Sequence, residues 1–155
     1  MADLEKKYTS LQKKYKLPTF KELDTEFEIS SLEKDDPVLR CVRRKMNEKV
    51  IFFCKIAEGI LYPHEKSHLN AYESSFFGDE QKQEIQKIHR PLMVFERRSL
   101  KLDILCSEAE DAAFINELWS QWKTYKKAVF EIVQTMEKAW KSTPRQEKSD
   151  EQYFG

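Results

Sequence analysis

The sequence predicts an all-α fold: an antiparallel bundle of three long helices with shorter N-terminal helices packed across it. Three observations carry that expectation. Apolar residues recur at spacings of three and four over most of the chain, the period of a helix face. Only 3 of the 155 residues are glycine, too few for the hairpin turns, phosphate loops or Rossmann crossings that need left-handed backbone or close approach. Prolines and helix-capping residues fall where those apolar periods stop and start.

Leu4, Tyr8, Leu11 and Tyr15 place one stripe on a first helix near residues 3–16, stopped by Leu17-Pro18. Thr19 with Glu22 forms a capping-box pattern for a short helix over 20–26, and residues 27–36 have the pattern of an extended connector. Asp36-Pro37 signals the next start, an acid at the N-cap and proline in the first turn. Val38, Val42, Met46, Val50, Phe53, Ala57 and Ile60 then hold phase as far as Tyr62-Pro63. A short helix is expected between Pro63 and Phe77. Gly78-Asp79 opens a long one to about Cys106, along Ile85, Ile88, Leu92, Phe95, Ser99 and Leu102. Pro91 falls inside it without loss of phase, which predicts a kink rather than a break. Ser107 with Glu110 repeats the capping box, and the last helix follows Ile115, Leu118, Trp122, Tyr125, Val129, Ile132, Met136 and Ala139 to about Lys141. Residues 1–141 form one helical domain in this reading, and 142–155 a disordered polar tail.

The longest apolar run, Val50 to Cys54, is far short of the ~20 residues that cross a bilayer, so no membrane association is expected. Cys41, Cys54 and Cys106 include no close pair, which fits buried thiols in a reducing cytoplasm. Net charge is zero, 27 Lys and Arg against 27 Asp and Glu, unlike domains that coat nucleic acid.

That balance is uneven along the chain. Residues 22–36 carry Glu22, Asp24, Glu26, Glu28, Glu33, Asp35 and Asp36 against Lys34, and Arg40, Arg43, Arg44, Lys45, Lys49 and Lys55 follow. The simplest expectation is that the acidic connector lies along the basic helix it precedes. The alternative turns the basic faces outward. Arg40, Arg43 and Arg44, a second group of Arg90, Arg97, Arg98 and Lys101, and a third of Lys123, Lys126 and Lys127 would then hold phosphates of an RNA or an acidic partner.

His64-Glu65-Lys66-Ser67-His68 is a literal His-Glu-x-x-His string. On a helix its histidines share a face and could grip a metal ion, with the glutamate activating a bound water. The string superficially resembles the zinc-peptidase motif. Pro63 puts it at a helix start, Lys66 sets a cation between the ligands, and Ala71 and Ser74 stand where one branch of that family has glycine and histidine. His64 and His68 therefore remain a third-ranked metal-site expectation, and no cofactor is expected. A di-iron carboxylate bundle needs the Glu-x-x-His spacing twice, and it occurs once.

Phe76-Phe77 before Gly78 is either a plug for the bundle end or a small apolar anchor for a partner. No Gly-x-Ser-x-Gly, Walker loop or activated cysteine turn is present. The leading expectation is a non-enzymatic protein-interaction module, binding a protein partner or another copy of itself through helix faces. RNA or phosphate binding through Arg40, Arg43, Arg44, Arg97, Arg98 and Lys101 ranks second.

Overall fold

Side-chain caps and prolines set the helix boundaries. In the computed structural model, which describes residues 2–33 and 36–142, α1 (Ala2–Tyr15) stops just before Leu17-Pro18 and α2 (Phe20–Phe27) begins after Thr19. Thr19 Oγ1 accepts from the Glu22 N–H at 3.2 Å, and the Glu22 carboxylate accepts from the Thr19 N–H at 2.8 Å. This complete capping box satisfies donors that a helix N-terminus leaves open. Then follow α3 (Val38–Leu61), α4 (His68–Ser74), α5 (Asp79–Leu105) and α6 (Glu108–Lys141). Helix α5 continues through Pro91 without a break.

Three local expectations are corrected. The connector after α2 is not extended throughout: Ile29–Ser31 form a 3₁₀ turn, held by Asp24 Oδ1 accepting from the Ser30 N–H at 2.7 Å, and Ile29 is fully buried. Asp36 does not cap α3. Pro37 itself occupies the N-cap with extended backbone, which leaves the Asp36 side chain one residue too early. Ser107 caps α6 by accepting from the Glu110 N–H at 3.3 Å, without the reciprocal bond that would complete a box.

The three long helices pack against one another, with α3 central. Near its start α3 meets the C-terminal part of α5 (Arg43 with Ser99), and near its end it meets the middle of α5 (Glu58 with His89), so the two run antiparallel. It runs parallel to α6, where Arg43 meets Asp111 and Phe53 stacks on Trp122 with ring centroids 4.8 Å apart. Contacts on two sides give α3 a broad buried arc, so Leu39, Arg43, Asn47 and Cys54 are buried beside the expected seam. Burial pushes the Cys54 thiol up to about 12, which makes it unreactive as a nucleophile. Cys106 differs from the expected buried thiol: it is exposed, in left-handed backbone at the end of α5.

The shorter helices cross the bundle and are fastened by polar contacts. Tyr15 Oη donates to Glu108 at 2.8 Å, Asn116 Nδ2 donates to the Tyr15 carbonyl at 3.1 Å, and Trp122 Nε1 donates to Glu26 at 2.9 Å. Phe77 is buried in a second apolar cluster with Ala57, Ile60, Ile85 and Ile132. Among the described residues no helix is long and apolar enough to cross a membrane. The tail expected over 142–155 lies, apart from Ser142, outside the described residues, as do Lys34 and Asp35 of the acidic connector.

Candidate functional site

The basic residues of α3 and α5 divide into an internal set and an outward set. Arg43 is the internal extreme, with no exposed surface. Its Nε donates to Asp111 at 2.6 Å, and its Nη1 donates to the Ser99 Oγ at 2.5 Å and the Ser99 carbonyl at 3.0 Å. Its Nη2 donates to Asp103, which also accepts from Arg44 Nε at 3.0 Å. A guanidinium cannot shed its proton, so burying it demands this degree of hydrogen bonding.

The two acids respond differently. Burial raises the Asp111 carboxyl above its ordinary range, despite its bond to Arg43. Burial also acts to raise Asp103, but hydrogen bonds from both Arg43 and Arg44 outweigh it and lower the pKa. Arg40 lies half-buried alongside, contributing positive potential at Asp111. Arg43 is thus spent inside the bundle and cannot take part in an outward basic cluster with Arg40 and Arg44. The acids that meet it come from α5 and α6, not from the connector before α3. Of the acids expected along α3, Glu26 lies near enough to Lys49 of that helix to feel its charge, and it also reaches α6, accepting from Lys126 at 2.9 Å.

The outward set runs along α5. Arg90, Val94, Arg97, Lys101 and Ile104 follow one another at spacings of three and four, so they share one face. That face points away from the buried line of Leu92, Phe95, Ser99 and Leu102. Val94 is 66% exposed and Ile104 is 83% exposed, with Leu100 and Leu105 flanking them. Arg97, itself exposed, pairs with the adjacent Glu96 at 3.2 Å. Among the described residues no carboxylate pairs with Arg90 or Lys101. A shallow hollow of about 640 Å³ opens between Arg90, Met93, Val94, Arg97, Arg98 and Lys101. Arg98 borders the same hollow, but its guanidinium is engaged: it pairs with Glu117 of α6 and lies over the Phe114 ring, 5.8 Å from its centroid.

The aromatic pair also divides. Phe77 plugs the second core cluster, while Phe76 is 37% exposed and meets the Tyr72 ring edge-on at 4.9 Å. Trp140 packs against the same tyrosine at 4.6 Å and donates to Glu73 at 3.1 Å. The histidine string is broken in structure. Ser67 caps α4, its hydroxyl accepting from the Asn70 N–H at 3.3 Å, so His68 opens the helix and His64 lies outside it. Both imidazoles are exposed, and among the described residues no group of three or more His, Cys, Asp or Glu is placed to hold a metal ion.

Val94 and Ile104 are the site residues that sequence reasoning misses, because a search for seams keeps the apolar residues in phase and passes over those opposite. Their signal is present all the same: they are spaced with Arg90, Arg97 and Lys101, not with Leu92 and Phe95. Fold and site together define a class, an all-helical bundle with one basic, aliphatic face left uncovered. No protein-family model, curated protein or solved structure matches the chain.

Proposed function

We propose that the protein is a non-enzymatic interaction module that binds a protein partner through the outward face of α5. One observation carries the reading: Arg90, Val94, Arg97, Lys101 and Ile104, at helical spacing, put three cations and two exposed aliphatics on one face. A single exposed leucine or valine needs no explanation, but Val94, Leu100, Ile104 and Leu105 are exposed together on and beside this face, and such a grouping on a surface suits an interaction site. Interleaved cations give such a face direction and partner choice through charge. A partner helix with acidic and aliphatic residues at the same spacing complements it. The cytoplasm suits the exposed Cys106 thiol, which an oxidising compartment would leave open to cross-linking.

RNA binding is the second reading, favoured by Arg90, Arg97 and Lys101 along one edge. It is weaker because a phosphate track gains nothing from Val94 and Ile104 on the same face as the cations. A photo-crosslinking residue placed at Val94 in the expressing cell separates the two, with the same residue at exposed Thr124 as control. The interaction module gives a discrete protein adduct from position 94 that is absent from position 124. A ribonuclease-sensitive adduct, or equal labelling from both positions, overturns it.

A further inference from the structure

The molecule carries a second surface whose chemistry is the converse of the α5 face. Between the start of α5 and the far half of α6 a groove of about 370 Å³ is floored by Phe77, Ile85, Ile88 and Ile132. Glu84 and Glu131 stand at its rim, both exposed. A helix with its side chains is about 10–12 Å across, so a groove of this size takes side chains from a helix and not the helix itself. Aliphatic side chains fit the floor, and cations one turn away fit the rim. The face from Arg90 to Ile104 supplies both, with Arg90 and Arg97 one turn to either side of Val94.

From this complementarity we infer that the occupant is a second copy of the chain, the α5 face of one copy seating in the α5–α6 groove of the next. The inference rests on the interaction-module reading and names its partner. Two further facts support it. Among the described residues Glu84 is held only by an exposed pair with Lys87 at 2.8 Å, which exchanges for an intermolecular partner at little cost. Zero net charge removes the collective repulsion that keeps copies of a charged protein apart. The two surfaces lie on different sides of α5, so the contact is head-to-tail, and the dimer still offers one free face and one free groove. Association therefore continues past the dimer unless a ring closes.

Light scattering at low salt, across a wide range of protein concentration, tests this with three variants. Arg97→Glu with Lys101→Glu destroys the face and leaves the groove. Ala128→Trp fills the groove from its α6 wall and leaves the face, and Glu84→Gln with Glu131→Gln is a milder groove variant that needs no added bulk. Thermal melts confirm that each variant folds. The expected result is that the mass of the wild type rises with concentration, while the face variant and the filled-groove variant each stay monomeric. Mixed in equal amounts, those two form a dimer of twice the chain mass and nothing larger, because only one productive contact is left. A wild type that is monomeric throughout overturns the inference, as does association that survives both variants or a mixture that stays monomeric. In each of those cases a Val94 adduct to a different protein keeps the interaction module standing, and its absence removes both.

Discussion

Arg43 of α3 and Asp111 of α6 form an ion pair at 2.6 Å with both side chains closed off from solvent. The pair joins the starts of the two parallel long helices, and Ser99 and Asp103 extend it to α5. One arginine therefore touches all three long helices.

Removing one partner leaves the other buried and uncompensated. Arg43→Met is expected to destabilise the fold by about 3–5 kcal/mol. Asp111→Leu is expected to be costly for the same reason. The double substitution removes both charges and should cost less than the two single losses added together. Urea denaturation of the four proteins measures the coupling, and strict additivity would show that the pair is not an energetic unit.

Trp122 is the second fastening point. Its ring stacks on Phe53, lies 4.6 Å from the Phe27 ring, and donates from Nε1 to Glu26. Trp122→Ala should cost about 3–5 kcal/mol. Trp122→Phe keeps most of the stacking and loses the hydrogen bond, so its melting temperature should lie between those of the alanine variant and the wild type.

Acid should loosen α2 from α6 through Glu26. Partial burial acts to raise this carboxyl, but hydrogen bonds from Lys126 and Trp122 outweigh it and hold its pKa below the ordinary range. A carboxyl held low in the folded state adds stability that is present above its unfolded pKa and lost as pH falls through the folded one. Asp103 acts in the same sense, and Asp111, held high, in the opposite one. Stability measured from about pH 5 down to pH 3 should fall. The fall should be shallower in Glu26→Gln, and an identical slope would assign the acid sensitivity elsewhere.

The fold was legible because helix periods and caps are local. The seam from Val38 to Ile60 is buried where the spacing puts it, and Thr19 with Glu22 makes the expected box. The charges were less legible because their partners are distant in sequence. Arg43 belongs to a basic run and Asp111 to an acidic helix start, and each has a sufficient local explanation. Only the packing of α3 between α5 and α6 brings them together, 68 residues apart in the chain. The same arrangement separates Arg43 from Arg97 and Lys101, which composition alone cannot distinguish. His64 and His68 have a spacing that would align them on a helix, but the Ser67 cap between them starts the helix too late.

The outward role of α5 is tested most directly by the yield of the protein adduct from a Val94 crosslinker, with and without Arg97→Glu and Lys101→Glu in the same chain. Both substitutions are on the surface and should change stability by no more than about 0.5 kcal/mol. The adduct should disappear while the melting temperature holds. An undiminished adduct, or a variant that no longer folds, would contradict the assignment of this face to a partner.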